Sequence, residues 1–546
     1  MAVSYKTPGV YIEEKNAFPN SVVAVATAVP AFIGYTKKAE RQGKSVFGKP
    51  IRITSLVEFE QIFGGAPNYK FTIDTLDAEA AKKERETFPL GLGADRKEYK
   101  ITWSEGIFRL YNSVRIFYQN GGGNCWIVSL GSTDTAELVK DDIVAAIDLL
   151  KDEPEPTMVL VPDAPSFADA SDCFSVYTAC LDHCQAEQNR VTLMDVPGAN
   201  SDQVFVDRDL IKAFRGGVGS NYLQWGASYF PWLDTNVVSD REITFLNFDI
   251  DTLKPLLLVA EPTPDPDAND KQKAKEAKIL EEVQSHNAAI ERILKTVPTP
   301  DKEGYYTIIP ENPDGTDGDA KNVEESLFLA VEANLRGMSS VYKSIVVKEA
   351  VKKLNLLPAS AAMAGVYTAV DNSRGVWKAP ANVSLNSVIA PNYTISNDLN
   401  DELNMPLNGK AVNAIRSFPG QGVIVWGART LDGNSQDWRY VNVRRTMIFL
   451  EQSIKAAARA YVFEPNDANT WVLVQGMISN FLNNVWKAGG LFGSTPGDAY
   501  DVQVGLGTTM TANDILDGYM RITVRVAVVR PAEFIVITFQ QKMPES

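Results

Sequence analysis

Short apolar runs alternate along the chain with longer stretches of helical periodicity, most regularly between residues 106 and 260. The runs are rich in β-branched and aromatic residues, which is typical of buried strands. The predicted strands are CWIVSL (125–130), TMVLVPDAP (157–165), VTLMDVPG (191–198) and YLQWGASYFPWL (222–233). The predicted helices between them cover residues 105–123, 135–152 and 168–189. This alternation predicts crossover units and a mainly parallel sheet.

Two strand-like runs close to the C-terminal end of the sequence carry different patterns. In the first, Ile522, Val524 and Val526 alternate with polar residues, which is typical of a half-buried strand. The second run, residues 533–541, is apolar on both faces, as in a strand that is buried on both sides. Pro531 separates the two runs, and no Asn-Gly or Asp-Gly pair indicates a tight hairpin. The second run therefore needs a covering surface that the local pattern does not supply.

The middle of the chain changes composition at EPTPDPDAND (261–270), which is typical of a loop or linker. A charged helical stretch follows over residues 270–296, and then a turn-rich stretch over residues 311–321. From Glu261 to about Lys321 the chain holds few large apolar residues. We therefore expect this segment to lie on the outside of the molecule, to bury little surface and to be dispensable.

The composition of the 546 residues, 45% hydrophobic and 22% charged, is that of a globular protein with several domains. The net charge of −15 disfavours nucleic acid as the main partner, because phosphate binding needs a basic face. The start of the sequence lacks a basic segment followed by an apolar core, so we expect synthesis in the cytosol. The apolar stretch at 22–34 is too short to span a bilayer and contains Pro30, so no direct membrane insertion is expected.

Candidate catalytic groups are few. The chain has two histidines, His183 and His286, although histidine is the usual general base near neutral pH. A Gly-Lys-Ser sequence at 43–45 lacks the glycine that a phosphate-binding loop needs five residues upstream. We therefore predict no catalytic residues and no cofactor, while a carboxylate-pair glycosidase stays open as an alternative.

Three cysteines, Cys173, Cys180 and Cys184, fall on one stripe of a predicted helix, with His183 beside them. A metal site is one interpretation of this spacing. The favoured interpretation is that small apolar thiols line a buried helix face, because zinc sites usually pair closely spaced ligands. We predict no metal site.

Several segments resemble the contractile tail sheath proteins, which form the sheaths of contractile-tailed phages and of phage-tail-like contractile injection systems, including R-type tailocins and extracellular toxin-delivery particles. The matching segments follow the family's order and cover both ends of the chain. They are TPGVYIEE (7–14), FIGYT (32–36), MAGVYTAVDNSRGVWKAPAN (363–382), GVIVWGARTL (422–431), WRYVNVRR (438–445), YVFEPND (461–467), TWVLVQGMISNFLNNVWKAGGLFG (470–493) and RPAEFIVI (530–537). Between about 66 and 350, only NCWIVSL and YFPWL are familiar.

The resemblance implies a multidomain α/β protein with an α+β core, in which both chain ends build a polymerising core and outer α/β domains are inserted. The implied parts are an N-terminal linking arm (1–20), the N-terminal part of the core with a variable region (21–105), an inserted α/β domain (106–260), an outer surface insertion (261–345), the conserved C-terminal core (346–520) and C-terminal linking strands (521–546). Arms of one subunit would add strands to a sheet in its neighbours.

The resemblance also implies roles for individual residues. The expected inter-subunit arm residues are Val10, Tyr11, Ile12, Ile522, Val524, Val526, Phe534, Val536 and Ile537. The expected hinges are Pro8, Gly9, Gly518 and Pro531. The residues of the core motif are Arg374, Gly375, Trp377, Pro380, Trp426 and Arg429. The candidates for contact with an acidic inner tube are Lys455, Arg459 and Lys487.

The implied function is that of a structural subunit, not an enzyme, that polymerises in stacked rings and contracts to drive an inner tube through a target envelope. The expected partners are further copies of the chain, the inner tube protein, and baseplate and tail-terminator proteins. The particle would assemble in the bacterial cytoplasm and form part of a phage tail or be released. Two alternatives stay open, namely a sheath paralogue at the baseplate end of the particle and a soluble α/β enzyme with an unrecognised site.

Overall fold

A computed structural model of the chain describes residues 22–82, 87–90, 96–135, 137–198, 207–263, 265–299, 302, 304–312, 316–407 and 409–537. The predicted N-terminal arm and hinge residues Pro8, Gly9, Val10, Tyr11 and Ile12 lie outside these described residues. None of the helices in the described ranges is long and apolar enough to cross a membrane.

The strands are short and spread along the whole chain. They are β1 Pro30–Thr36, β2 Glu40–Arg41, β3 Lys44–Ser45, β4 Pro50–Ile53, β5 Lys70–Leu76, β6 Phe88–Leu90, β7 Lys97–Glu105, β8 Cys125–Ser132, β9 Met158–Leu160, β10 Val191–Asp195, β11 Gly226–Phe230, β12 Leu233–Thr235, β13 Val297–Pro298, β14 Tyr305–Ile308, β15 Lys321–Glu324, β16 Leu356–Leu357, β17 Val383–Ser384, β18 Val388–Pro391, β19 Asn413–Phe418, β20 Gly422–Val425, β21 Tyr500–Val504 and β22 Ile522–Val526.

The helices start at side-chain caps in many cases, such as Ser55, Asn269 and Asp467, which accept hydrogen bonds from free N–H groups of the first turn. They are α1 Leu56–Phe63, α2 Ala78–Ala81, α3 Leu110–Gln119, α4 Lys140–Asp148, α5 Ala170–Glu187, α6 Asp207–Gly217, α7 Ile250–Leu257, α8 Asp270–Leu294, α9 Glu325–Met338, α10 Val347–Leu354, α11 Ser360–Arg374, α12 Asn397–Asn404, α13 Val441–Ala458, α14 Ala468–Lys487, α15 Pro496–Ala499 and α16 Ala512–Leu516. The helix predicted over 105–123 starts later, because β7 extends to Glu105.

The central sheet has nine strands in the order β17-β20-β19-β11-β10-β9-β1-β8-β4. All neighbours from β8 to β19 are parallel, which confirms the prediction of a mainly parallel sheet. The outer pairs at both ends are antiparallel. The first core packs against this sheet and includes α3 and α11. Those two helices cross closely at Gly365, where a Cβ atom would lie 2.5 Å from the carbonyl oxygen of Phe117.

This sheet crosses the division predicted between residues 106–260 and the chain ends. Its strands come from residues 30–53, 125–230 and 383–425, so most of the predicted inserted domain belongs to the same layer as both ends. The predicted boundaries at 106 and 260 do not coincide with the edges of this sheet, and the division into domains stays a prediction. The pattern along the chain identified the strands, but strand order depends on contacts between residues far apart in sequence.

A second core lies beside the sheet and combines residues 69–101 with residues 238–354. It contains the three-stranded sheet β5-β7-β6 and helices α7, α9 and α10, with Phe71, Phe245 and Tyr342 fully buried. The last turn of α8 packs into this core through Ile290, Ile293 and Leu294.

The expectation that residues 261–321 bury little surface is therefore wrong for their second half. Besides the end of α8, the Tyr306 ring stacks on Phe328 with 4.0 Å between the ring centroids. The first turns of α8 are exposed, as expected. A 25-residue helix with a polar majority still buries one end, and average composition does not show where.

The cysteine helix is α5. Cys173, Cys180 and Cys184 are fully buried, which confirms the prediction of thiols on a buried face. Burial raises the pKa of Cys180 to about 12 and shifts the pKa of Cys173 and Cys184 in the same direction. These side chains are therefore protonated thiols at neutral pH.

Candidate assembly site

A third, smaller core contains α13, α14 and the two-stranded sheet β21-β22. The strands are antiparallel, from Tyr500 opposite Val526 to Val504 opposite Ile522. The sheet lies on α14, where the Gln475 side chain donates to the carbonyl oxygen of Val502 at 2.8 Å. Within the described chain both strands are edge strands, and such edges can accept a further strand.

Three predicted arm residues, Ile522, Val524 and Val526, form β22. They pair with β21 of their own chain and are partly buried against the third core. Their role in another subunit stays a prediction, which the free edge of this strand leaves possible. Gly518, a predicted hinge, lies in the exposed turn before β22 with φ of 78°, a conformation that favours glycine.

After β22 the chain runs across the third core towards the central sheet. Phe492 donates its backbone N–H to the carbonyl oxygen of Ala527 at 2.8 Å. The Asn442 side chain on α13 donates to the carbonyl oxygens of Trp377 at 2.8 Å and Val529 at 3.2 Å. Pro531, the other predicted C-terminal hinge, follows in this exit segment, residues 527–533.

The exit segment ends at an ion pair between a buried arginine and a partly buried glutamate. The Glu533 carboxylate accepts two hydrogen bonds from the Arg429 guanidinium, one from Nε at 2.9 Å and one from the second Nη. The Tyr440 hydroxyl donates to the same carboxylate at 3.3 Å. The Arg429 side chain is 3% exposed and that of Glu533 18%. This hydrogen bonding with Glu533 raises the pKa of Arg429, so the guanidinium is charged.

Beyond Glu533 the chain leaves the subunit surface. Phe534, Ile535, Val536 and Ile537 are 69%, 80%, 87% and 70% exposed. We call these four residues the apolar ribbon. The strand predicted over 533–541 is not formed in the described part of that run, because a single chain places no partner strand beside it. Four successive large apolar residues in water are characteristic of a surface that another molecule covers.

The RGVWKAP motif forms a turn against the third core. Gly375 has φ of 89° and ends α11, and a Cβ atom there would lie 2.4 Å from the Trp377 indole. A Cβ on Gly490 would lie 2.8 Å from the same indole. Pro380 is buried, and Arg374 is exposed. Both glycines are therefore needed for the indole to pack.

The second motif, WGARTL, follows β20. Trp426 is 43% exposed and contacts Phe418, with 4.7 Å between the ring centroids. Arg429 is 2% exposed and bound to Glu533. Of the two core-motif residues in this segment, Trp426 is therefore partly exposed and Arg429 is buried.

The start of the described chain is held by another buried arginine. Arg445 donates to the carbonyl oxygen of Thr27 at 2.8 Å and forms a bidentate pair with Asp371, at 3.0 and 2.6 Å. Both side chains of this pair are at most 3% exposed. The backbone N–H of Val25 donates to Ser453 on α13 at 3.2 Å. The path from residue 22 to β1 is therefore fixed to α13.

A groove of about 520 Å³ lies between residues 23–27 and α13. Two of the predicted tube contacts, Lys455 and Arg459, line it together with Glu155. Lys487 is exposed at the end of α14 and is not among the residues that line this groove. The structure therefore brings two of the three cations together.

Sequence reasoning missed the partners of these arginines. Asp371, Tyr440 and Glu533 all lie inside segments quoted for the family resemblance, but none was chosen as a site residue. A usable signal was present for Glu533, because it is the one charged side chain in the apolar run from 532 to 539. Arg444, next to Arg445 in the sequence, is also a buried arginine. Its guanidinium lies between two aromatic rings, 4.3 Å from the ring centroid of Trp225 and 4.2 Å from that of Trp438.

The region around the third core is also the part of the chain that matches a known protein family. The profile of the phage tail sheath C-terminal domain matches residues 434–542, which contain α13, α14, β21, β22 and the apolar ribbon. The whole chain is similar to the sheath of an extracellular contractile injection system, the PVC sheath complex in the contracted state, with 26% identity, 99% coverage of both chains and a TM-score of 0.57. The C-terminal part of the chain thus matches a tail sheath domain, and the whole chain is similar to a solved contractile sheath.

Two further proteins are similar to the chain. A chain in the baseplate of the anti-feeding prophage is 25% identical, with coverage of 99% of this chain and 100% of that chain and a TM-score of 0.55. The tail sheath protein of Vibrio phage KVP40 is 26% identical over 136 residues, which are 25% of this chain and 20% of the phage protein. The alignment thus spans about a fifth of that curated relative.

Proposed function

We propose that this sheath protein polymerises as stacked rings around an inner tube and contracts to drive the tube through a target envelope. The observation that carries the proposal is the apolar ribbon, four successive exposed residues that directly follow a buried ion pair. In the polymer, this ribbon adds as a strand to a sheet in a neighbouring copy. Strand addition supplies main-chain hydrogen bonds and covers the apolar side chains together.

The sheet β21-β22 supplies an acceptor for such strands. It has two free edges within the described chain, so it has room for a ribbon from one neighbour and for the N-terminal arm, Val10 to Ile12, from another. Ile522, Val524 and Val526 then contribute to assembly as the receiving strand. In this proposal the N-terminal arm and the ribbon both bind to the sheet β21-β22 of neighbouring copies.

Contraction needs no reaction on the sheath protein in this proposal. The work comes from interface free energy that is larger in the contracted lattice than in the extended one, with a barrier between the two states. A gain on the order of a few kcal/mol per subunit, multiplied over hundreds of copies, exceeds the energy of one nucleotide hydrolysis. The protein acts as a structural subunit, without catalysis, cofactor or nucleic acid.

The partners are further copies of the chain, the inner tube, the baseplate and a tail terminator, and assembly takes place in the bacterial cytoplasm. Similarity to a chain of the anti-feeding prophage baseplate supports the baseplate contact. The same similarity supports a second candidate function, that of a sheath paralogue confined to the baseplate end. The number of copies per particle, measured by quantitative mass spectrometry, separates hundreds of subunits from a single ring.

Contact with the tube is proposed for Lys455 and Arg459, which share the groove beside α13, and for Lys487 at the end of α14. These cations are exposed on a chain of net charge −15. Their charge would steer an acidic tube into the growing sheath.

Electron microscopy of the chain co-expressed with its tube protein tests the proposal. We expect long striated sheaths from the natural sequence. Deletion of residues 1–14 should leave a soluble subunit with an unchanged cooperative melting curve that forms no sheath, because these residues supply a linking strand and lack the apolar side chains for a core. Sheaths of normal length from the deletion variant would contradict the linking role, and failure of the natural sequence to form any polymer would contradict the proposed function.

A further inference from the structure

The apolar ribbon lacks a pattern that specifies how it pairs. Phe534 and Val536 alternate with Ile535 and Ile537, so both faces are equally apolar. A slip of one residue exchanges the two faces of a strand, and in most strands this slip is opposed because it would bury polar side chains. Here a one-residue slip would bury the same kind of surface. Correct register must therefore come from something outside the ribbon.

The buried ion pair lies directly before the ribbon. Arg429 is fixed in place independently of Glu533, because its backbone N–H and carbonyl both bond the Asn413 side chain at 2.7 Å. Asn413 begins β19 and also donates to the carbonyl oxygen of Ser228 on β11. One Nη of Arg429 donates to the carbonyl oxygen of Asn404 at 3.1 Å. The guanidinium is therefore rigidly attached to the central sheet.

We propose that Glu533 is the positioning residue of the C-terminal arm: its clamp by Arg429 and Tyr440 fixes the point and direction at which the ribbon leaves the subunit, and thereby sets the register in which the ribbon pairs with a neighbouring copy. The inference rests on the proposed function. A bidentate arginine–carboxylate pair suits this role, since it constrains orientation as well as distance. Buried polar pairs are known to specify register in other assemblies at a cost in stability.

The clamp also links the segment that follows the third core to the central sheet. Glu533 follows the third core in the chain, whereas Arg429 is bonded to the central sheet. The position at which the ribbon starts is thus set by the nine-stranded sheet and not by the small sheet β21-β22. A fixed starting point also reduces the conformational freedom that the ribbon loses on pairing.

A spin label at position 537 provides a direct test. The four native cysteines, Cys125, Cys173, Cys180 and Cys184, are buried, so an Ile537→Cys substitution introduces the reactive thiol. Label mobility is measured by electron paramagnetic resonance on subunits shown to be monomeric by size-exclusion chromatography. We expect Glu533→Gln to increase the mobility of the label, because the neutral amide cannot accept both arginine hydrogen bonds as a carboxylate does. We expect the yield of sheath to fall at least tenfold in the same variant without the label.

Arg530→Gln is the matched control. Arg530 lies three residues before Glu533 and approaches Asp437 at 3.8 Å, with both side chains exposed. This substitution removes a charge from the same segment and should change neither label mobility nor sheath yield. Tyr440→Phe removes only the 3.3 Å hydroxyl contact and should raise mobility slightly, so it tests the clamp even if Glu533→Gln does not fold.

Two results would overturn the inference. Label mobility equal to that of the natural sequence in both clamp variants would show that the ion pair does not hold the arm. Increased mobility with normal yield and normal striation would show that the clamp does not set the register. A natural sequence that forms no sheath contradicts the proposed function instead, and the mobility measurement on monomers still decides whether Glu533 holds the arm.

Discussion

The second core and the region of the third core differ in how much of their apolar side-chain surface is exposed to water. The second core covers its large side chains within one chain, and Phe71, Phe245 and Tyr342 have no exposed surface. Next to the third core the apolar ribbon is 69–87% exposed, and the loop between α13 and α14 presents a fully exposed Phe463. Both cores lie beside the same central sheet. One covers these side chains within the chain, and the other leaves a run of apolar residues exposed beside it.

Apolar residues can stabilise the fold of a single chain or the contact between chains. Full burial of a Val, Ile or Phe side chain is worth about 1.5–3 kcal/mol, so the ribbon offers on the order of 6–12 kcal/mol per copy before the cost of ordering it. In the second core the same kind of residue stabilises the fold. Changes to the ribbon should therefore abolish assembly without changing the melting temperature, and changes to the second core should do the reverse.

The largest expected effect is on the ribbon itself. Phe534→Asp combined with Val536→Asp should abolish sheath formation, since two charges would have to be buried between strands. The melting temperature of the monomer should stay within about 1 °C, because both side chains are exposed. Sedimentation and electron microscopy measure the assembly, and calorimetry measures the stability.

Val57→Asp is the control for those substitutions. Val57 is 63% exposed in the first turn of α1, where a carboxylate is tolerated. This variant should polymerise normally. Normal sheaths from the doubly substituted ribbon would show that the exposed residues are not an interface, and the contrast between the two cores would then lose its meaning.

The contacts of α8 with the second core predict how much of the segment 262–320 can be replaced without loss of stability. The Asn287 side chain on α8 bonds both the N–H and the carbonyl of Val259 at 2.9 Å, so residues 259 and 287 are neighbours in space. Replacing residues 262–285 with a short Gly/Ser linker should preserve folding, assembly and contraction. Loop closure adds little cost at such a short span.

Replacing residues 262–320 should instead lower stability strongly. That replacement removes Ile290, Ile293 and Leu294 from the second core and exposes the Phe328 ring. Thermal unfolding and proteolysis of the two variants compare them directly. Equal stability of the two replacements would show that α8 is not part of the core.

The sequence alone predicted several strands of the central sheet, but it did not predict the contacts between distant parts of the chain. Strands such as β8 and β10 were predicted because each is a short apolar run between helical stretches, which is a local property. The order of the strands was not predictable in this way, since β19 pairs with β11 across about two hundred residues. The clamp was missed for the same reason, because Arg429 and Glu533 are 104 residues apart and neither has a distinctive local pattern.

Some parts of the site were within reach of the sequence. The run 533–541 was recognised as needing a cover because it is apolar on both faces, and in the structure its first apolar residues are exposed. The RGVWKAP motif is part of the family resemblance, and in the structure Gly375 with its positive φ forms a turn there. The choice of partner for each charged side chain required the three-dimensional arrangement.

A buried carboxylate in the first core should affect stability alone. Asp195 ends β10 and accepts a hydrogen bond from the N–H of Ser360 at 2.8 Å, and burial raises its pKa to about 6. Because this is above the unfolded value of about 3.9, the contribution of Asp195 to stability is fully present at acid pH and is lost as the pH rises through about 6.

Asp195→Asn keeps the acceptor oxygen and removes the charge. It should raise the free energy of unfolding by up to ~3 kcal/mol at pH 7.5 and by less at pH 5, with normal sheath assembly. Denaturant unfolding at both pH values measures this. A stability gain that does not depend on pH would contradict the assigned titration.

The smallest effect is expected for Lys487→Glu. Lys487 is exposed and outside the groove that contains Lys455 and Arg459, so its reversal should weaken co-assembly with an acidic tube a few-fold at low salt and not at high salt. Melting temperature should not change. Unaltered co-assembly at both salt concentrations would remove Lys487 from the tube contacts and leave the groove pair.

The sheet order has a consequence for synthesis on the ribosome. The central sheet is closed by β17, β19 and β20, which end at Val425, and the ribbon follows about a hundred residues later in the chain. At a translation rate of about 5–20 residues per second, the ribbon emerges on the order of ten seconds after the last strand it depends on. The chain segment that carries Arg429 thus has several seconds to fold into the central sheet before the ribbon emerges. Polymerisation through the ribbon therefore cannot begin until the strands of the central sheet have been synthesised.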